Sequence, residues 1–152
     1  MNLKMCFING PNLNMLGMRE PEIYGKSSLA EIEKEMQILA RQQGAEIDFF
    51  QSNHEGKIVD YIQEARGRFD CILINAGAFS HYSIAIYDAL KAVEIPVIEI
   101  HLSNIYARES FRQQSLISPL AVGGVFGFGA LSYKMAFLAA CELLAAGQKG
   151  KG

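Results

Sequence analysis

Short apolar runs alternate with amphipathic stretches five times along the chain. The runs are "LKMCFIN", "AEIDFFQ", "CILINAG", "PVIEIHL" and "AVGGVFGFG". Their hydrophobicity is nearly continuous, which is typical of strands buried on both faces of a parallel sheet. Each run is followed by a polar or amphipathic stretch long enough to return the chain to the other end of the sheet. The pattern therefore predicts five parallel strands joined by crossover connections.

The stretches between the runs predict helices. After the first run, one helical face carries Leu29, Ile32, Met36, Leu39 and Ala40, at the spacing of an amphipathic helix. Ser28 and Glu31 have the spacing of a capping box before this helix, and Gly44 is placed to end it. Ser52 and Glu55 repeat that spacing before a helix carrying Ile58, Ile62 and Ala65, a third helix is predicted over residues 82–93, and "KMAFLAACELLAAG" forms the last. The fold predicted is α/β, a flavodoxin-like three-layer sandwich with a five-stranded parallel sheet.

Polar side chains cluster where these strands end. Asn9 and Asn12 follow the first strand, Ser52, Asn53 and His54 the second, Asn75, Ser80 and His81 the third, and Glu99, His101, Ser103 and Asn104 surround the end of the fourth. Ligands of such sheets bind beyond the carboxyl ends of the strands. All three histidines of the chain fall on this rim, so we expect the functional site there.

Residues 12–25, "NLNMLGMREPEIYG", are too broken for a long helix or a strand. They bring Asn, Arg, Glu and Tyr side chains into one loop beside the same rim. A phosphate-binding loop is rich in Gly, Ser or Thr, whereas this loop carries the apolar residues Leu13, Met15 and Leu16, so FMN binding is not supported.

Length and charge narrow the class of protein. The chain has 152 residues and a formal net charge of −2, without any run of Lys or Arg, so nucleic acid and anionic membranes are not expected partners. A small molecule is the expected ligand. The length fits one domain, which we place at residues 1–146, with a frayed tail at 147–152. Cys6, Cys71 and Cys141 lie far apart in apolar runs, a pattern that is typical of buried, reduced thiols. The start of the chain shows no signal-peptide pattern. Together these two features predict a cytoplasmic protein.

The rim histidines allow more than one interpretation. His54 alone is best explained as an ordinary polar residue. His101 lies two residues after Glu99 on an extended segment, so both side chains point the same way and the carboxylate can orient the imidazole. A zinc site formed by His54, His81 and His101 is a weaker alternative, because the other rim residues are Asn, Ser and Arg. A binding module that senses carboxylates without turnover is another alternative.

Five segments together resemble one enzyme family. They are "INGPNLNMLGMREPEIYG", "QSNHEG", "INAGAFSHYS", "EIHLSN" and "RESFRQQS", and in this order and spacing they closely resemble type II 3-dehydroquinate dehydratases. The resemblance implies reversible loss of water from 3-dehydroquinate to give 3-dehydroshikimate through an enolate, without metal or cofactor, in the shikimate pathway or in quinate catabolism. It also implies homo-oligomers, trimers grouped into dodecamers.

The resemblance also implies roles for particular residues. Tyr24 matches the base, Arg19 the group that supports it, Asn12 the residue that holds a water against the enolate oxygen, and His101 the general acid. The positions that match substrate-binding residues are Asn75, His81, Leu102, Ser103 and Arg112, with Asp88 completing the site of a neighbouring subunit.

A tyrosine base needs a nearby cation. An ordinary tyrosine has a pKa of about 10 and is a poor base at neutral pH. One guanidinium at about 4 Å, under an effective dielectric constant of about 20, favours the phenolate by about 4 kcal/mol. Arg19 can supply this, with Arg108 or Arg112 in reserve. Gly17 and Gly25 are predicted hinges that let the segment close over substrate.

Overall fold

The computed structural model describes residues 2–149, without the side chains of the last two. Five parallel strands form one sheet in the order β2-β1-β3-β4-β5. Their bounds are Leu3–Asn9 (β1), Ala45–Gln51 (β2), Cys71–Asn75 (β3), Val97–His101 (β4) and Gly123–Phe126 (β5). The predicted flavodoxin-like topology is confirmed, and β1 and β2 have the bounds of their apolar runs.

Helices cover both faces of the sheet. Their bounds are Pro21–Tyr24 (α1), Leu29–Gln42 (α2), Glu55–Ala65 (α3), Ile84–Val93 (α4) and Leu131–Lys149 (α5). Successive side chains of a strand point to opposite faces. Accordingly Met5 and Phe7 of β1 pack with α2 and α5, while Cys6 and Ile8 pack with α3 and α4. The result is the predicted three-layer sandwich with an apolar cluster on each face.

The helix starts follow local hydrogen bonding. Ser28 caps α2 as predicted, and its Oγ accepts the N–H of Glu31 at 3.1 Å. The cap predicted at Ser52 is wrong: α3 begins at Glu55 after His54, and Ser52 Oγ instead accepts the N–H of His54 at 3.0 Å. The chain uses residues 52–54 to turn away from the sheet after β2, so α3 cannot begin directly after Ser52. The third predicted helix likewise starts late, at Ile84, because Ser83 caps it and its Oγ accepts the N–H of Ile86 at 3.1 Å.

The carboxyl-terminal boundary differs from the predicted one. Helix α5 continues to Lys149, so the backbone of residues 147–149 is helical where the sequence predicted a frayed tail. Residues 150–152 of that predicted tail lie outside the described residues. Within the part of the chain that is described, no helix has both the length and the apolar character that a bilayer-spanning segment requires.

Candidate active site

A cavity of about 180 Å³ lies at the carboxyl ends of β1, β3 and β4, where the rim was predicted. Its walls include the four predicted catalytic residues: Asn12, Arg19, Tyr24 and His101. They also include five predicted substrate-binding residues: Asn75, His81, Leu102, Ser103 and Arg112. Asp88 is exposed on α4 and does not line this cavity. The structure thus brings together every predicted site residue except Asp88.

A larger, open groove of about 670 Å³ lies at the opposite end of the sheet, where β1 and β2 begin. Its charged side chains include Lys4, Glu46, Arg68 and Asp70, and Lys4 and Glu46 form an exposed ion pair at 3.9 Å. Solvated pairs of this kind are common on protein surfaces and contribute little free energy. The predicted catalytic and substrate-binding residues that share a cavity lie instead at the carboxyl ends of the strands.

The loops after β1 and β3 pack against each other through Gly10. Its N–H donates to the carbonyl oxygen of Asn75 at 2.8 Å, and a Cβ at this position would lie 2.2 Å from the carbonyl oxygen of Ala76. Only glycine permits this approach. The close packing places Pro11 and Asn12 next to Asn75 and Gly77 in the cavity wall.

Asn12 is held in an uncommon backbone conformation, with φ 68°. Its N–H donates to Oδ1 of Asn53 at 3.0 Å, and Gln51 donates to the same oxygen at 3.2 Å. Asparagine tolerates this left-handed region better than most residues. The end of β2 therefore fixes Asn12 in place, and Asn53, which the sequence placed only on the rim, is its support.

Two guanidinium groups lie near the ring of Tyr24. Tyr24 ends the one-turn helix α1, so the loop is less irregular than its sequence indicated. The guanidinium carbons of Arg19 and Arg108 lie 5.0 and 5.1 Å from the centre of its ring. Sequence reasoning had named Arg19 as the partner and kept Arg108 in reserve; the structure places both there. Both distances lie within the range of a cation–π contact.

Arg108 is also tied to a predicted substrate-binding residue. Its Nη1 donates to Oγ of Ser103 at 3.4 Å, and its side chain is mostly buried, with 14 % of its area exposed. A guanidinium with several donors can contact Ser103 and the ring of Tyr24 together. Arg108 therefore connects the tyrosine side of the cavity to the end of β4.

Glu99 and His101 form the predicted pair. Oε2 of Glu99 lies 2.9 Å from Nε2 of His101, and both residues are buried. Burial raises the pKa of the Glu99 carboxyl, but the hydrogen bond and charge of His101, with hydrogen bonds from Ser115 and Ser118, hold it below its usual range. An ionised carboxylate can only accept, so Nε2 of His101 carries a proton. Nε2 is thus engaged with Glu99, and His101 also lines the active-site cavity.

Asn75 is held by a buried tyrosine that sequence reasoning missed. The hydroxyl of Tyr133, on α5, accepts a hydrogen bond from Nδ2 of Asn75 at 3.1 Å and donates to Oδ1 of Asn9 at 2.5 Å. Burial raises the pKa of the Tyr133 phenol, so this side chain stays neutral. The only signal was a tyrosine amid the apolar residues of the last helix.

His81 and Arg112 have partners at the cavity edge. Nδ1 of His81 donates to the carbonyl oxygen of Gln114 at 2.8 Å, which fixes the orientation of the ring. Nε of Arg112 donates to Oε2 of Glu109, an exposed carboxylate, at 2.7 Å. Arg112 therefore pairs with Glu109 at the cavity edge and also lines the cavity.

The three-histidine alternative is not assembled. His54 precedes α3 and does not line the cavity that His81 and His101 share. In residues 2–149 no three His, Cys, Asp or Glu side chains are grouped as metal ligands.

Comparisons with known proteins identify the family of this chain. The family model of class II dehydroquinases matches residues 3–141. A 3-dehydroquinate dehydratase of Nitratiruptor sp. is 56 % identical over 90 % of this chain and 88 % of its own length. One from Prochlorococcus marinus is 54 % identical over 89 % of this chain and 91 % of its own. The crystal structure of a type II dehydroquinase from Butyrivibrio crossotus has a TM-score of 0.88 and 44 % identity, over 90 % of this chain and 95 % of that one. The chain belongs to the class II dehydroquinase family of hydro-lyases.

Proposed function

We propose that this chain removes water from 3-dehydroquinate to give 3-dehydroshikimate, with Tyr24 as base and His101 as acid. The observation that carries this proposal is the pairing of Tyr24 with two guanidinium groups in the same small cavity as a carboxylate-bound histidine. The family and its relatives support the substrate.

The base step removes a proton from the carbon beside the ketone. Tyr24 accepts it as phenolate, and the electron pair of the C–H bond forms an enolate. Arg19 and Arg108 favour the phenolate by charge. Asn12 then holds a water that donates a hydrogen bond to the enolate oxygen, a form of the stabilisation used where negative charge develops.

The acid step expels the hydroxyl. The enolate collapses, the C–O bond breaks, and His101 gives a proton to the departing oxygen, which leaves as water. Because Nε2 of His101 is engaged with Glu99, the proton delivered to the substrate comes from Nδ1. Over the whole reaction Tyr24 gains one proton and His101 loses one, and exchange with solvent restores both.

The remaining cavity residues bind the substrate. Asn75 and His81 bind hydroxyl groups of the substrate, and Arg112 forms a charge-assisted hydrogen bond with it. Leu102 and Ser103 together bind its carboxylate. Asn75 and His81 are already oriented by Tyr133 and Gln114, which reduces the entropy lost on binding.

Replacing Arg112 with alanine should mainly weaken binding. Arg112→Ala removes a charged donor at the cavity edge but neither proton-transfer group, so we expect KM to rise about 10- to 100-fold with kcat changed only a few-fold. Steady-state kinetics with 3-dehydroquinate measure both. Arg41→Ala, on α2 and outside the cavity, is the control with unchanged KM. A drop in kcat with normal KM would contradict the binding role.

We also propose a homo-oligomer, a dodecamer built from trimers, in which Asp88 completes a neighbouring site. Asp88 lies outside the cavity of its own chain, and Tyr82 and Ile84 nearby have more than half of their surface exposed. Exposed apolar side chains close to a polar residue are common where chains associate.

Sedimentation tests the assembly. We expect a species near twelve times the 16.8 kDa chain, and we expect Asp88→Ala to lower activity in the assembled protein. A wild-type monomer with full activity would contradict the role of Asp88.

We also propose a cytoplasmic location and a role in one of two pathways. Buried Cys6 and Cys71 suit a reducing compartment, and we place the enzyme in the cytoplasm. It acts without a metal or an organic cofactor. The same conversion serves aromatic amino acid biosynthesis and quinate catabolism.

The alternative is a carboxylate sensor that binds without turnover. Incubation with 3-dehydroquinate and a chelator, followed by mass analysis, distinguishes the two, because dehydration yields a product lighter by one water. Calorimetric binding with unaltered substrate would favour the sensor, and turnover abolished by the chelator would favour a metal-dependent reaction.

A further inference from the structure

Two serine hydroxyls bind the carboxylate behind His101. Oγ of Ser115 donates to Oε2 of Glu99, the oxygen that also faces His101, and Oγ of Ser118 donates to Oε1. Ser115 Oγ also accepts the N–H groups of Ile117 and Ser118 at 3.1 and 3.4 Å. With its lone pairs used in this way, the single hydroxyl proton of Ser115 points to Glu99. Both carboxylate oxygens are therefore engaged.

We propose that Ser115 and Ser118 are positioning residues that lower the pH at which His101 loses the proton that it delivers to the substrate, while Nε2 keeps the proton that faces Glu99. The proposal rests on His101 being the acid of the proposed reaction. A hydroxyl that donates to a carboxylate stabilises the ionised form. This stabilisation is largest when His101 has lost its proton, because Glu99 then has no cationic partner. The serines thus favour proton release to the substrate while Glu99 stays ionised.

The two serines differ in access to solvent. A second cavity, of about 310 Å³, lies beside β5 and is lined by Glu99, His101 and Ser118 but not by Ser115. Ser118 is exposed and Ser115 is buried. A Cβ on Gly124 would be in van der Waals contact with Oε1 of Glu99, at 3.9 Å, so the glycine leaves no side chain between this oxygen and the second cavity. Water can replace a lost Ser118 hydroxyl from this cavity, whereas a lost Ser115 hydroxyl has no such replacement.

Other charged or titratable groups surround the pair and stay unchanged in serine variants. The elements facing the active-site cavity contribute Arg19, Tyr24, His81, Arg108 and Arg112; Tyr106 lines the second cavity, and Tyr133 comes from α5, which packs against β4. The neighbours of Glu99 in the sheet are Ile74 and Gly124, which carry no charge. A change in titration between the wild type and a serine variant therefore reports on the carboxylate.

The test is an NMR pH titration of His101 in protein labelled with ¹³C-histidine. The chain has three histidines, so His54→Gln and His81→Gln assign the signals. We expect Ser115→Ala to raise the pH midpoint of His101 by about one unit, and Ser118→Ala by a smaller but measurable amount, about 0.3 units, because water replaces that hydroxyl only in part. The alkaline limb of the kcat profile should move the same way, with a lower plateau, because a more tightly held proton makes a weaker acid.

Two comparison variants separate this role from a structural one. Ser83 has the same bonding pattern, since it donates to Glu55 and accepts the N–H of Ile86, so Ser83→Ala should lower the melting temperature and leave the His101 midpoint unchanged. Glu99→Gln removes the carboxylate and should lower the midpoint. Ser115→Thr, which keeps the hydroxyl, should restore the wild-type midpoint.

A folded Ser115→Ala protein whose His101 titrates as in the wild type would overturn the proposal. If Ser115→Ala does not fold, Ser118→Ala decides, because its hydroxyl caps no backbone group in the described structure: an upward shift supports the proposal and an unchanged midpoint overturns it. The titration needs no substrate. An upward shift in a protein that does not dehydrate 3-dehydroquinate would support the positioning role and contradict the proposed function.

Discussion

Tyr24→Phe should lower kcat by at least about a hundredfold while leaving substrate affinity within a few-fold of the wild type. The change removes one hydroxyl, and with it the proton acceptor, but keeps the ring beside Arg19 and Arg108. General bases contribute about 10²- to 10⁴-fold to rate. Steady-state kinetics give kcat, and calorimetry with substrate gives affinity.

Tyr87→Phe is the matched control. This residue lies on α4 outside the cavity, so its variant should have a normal kcat. Near-normal kcat in Tyr24→Phe would refute Tyr24 as the base. Tight binding without turnover already in the wild type would favour the carboxylate sensor.

His101→Ala should have a loss of kcat of similar size. It removes the group that protonates the departing hydroxyl and leaves buried Glu99 with only the two serine hydroxyls as partners. Unpaired buried charge is costly, so we also expect a lower melting temperature. Measuring kcat together with thermal unfolding separates the catalytic loss from instability.

His54→Ala provides the comparison for this variant. His54 is the histidine outside the cavity, and no side-chain cap bond from it holds α3. Its variant should keep kcat. If His101→Ala retained most of its kcat while folded, the acid would have to be another group.

Local patterns were sufficient for most of the fold. Continuous apolar runs gave β1 and β2 their bounds, and the Ser28 cap follows from contacts three residues apart. Ser52 has the same spacing but does not cap α3, since spacing alone does not tell where the chain has finished leaving the sheet. The glycine-rich composition after residue 146 likewise led to the prediction of a frayed tail, whereas the backbone of residues 147–149 is helical.

The cavity was predictable because parallel strands present their carboxyl ends at one edge. That rule placed Asn12, Asn75 and His101 together without any contact being known. It said nothing about which arginine approaches Tyr24. The contact of Arg108 with this ring joins segments far apart in the chain, and it follows from the path of the residues after β4.

The supports behind the site are the part that sequence reasoning missed. Tyr133 donates a hydrogen bond to Asn9, which lies 124 positions away in the sequence, and Ser115 donates one to Glu99, which lies 16 positions away. A serine in a polar stretch and a tyrosine in an apolar helix are ordinary residues in isolation. Their roles arise from tertiary contacts that no periodicity encodes.

The most direct test of the central claim is a continuous near-ultraviolet assay of the purified protein with 3-dehydroquinate in the presence of a chelator. It follows the conjugated enone carboxylate of the product, and the wild type and Tyr24→Phe are measured side by side. We predict steady turnover by the wild type that is lost in Tyr24→Phe. A folded wild-type protein that binds 3-dehydroquinate but forms no product would contradict the account.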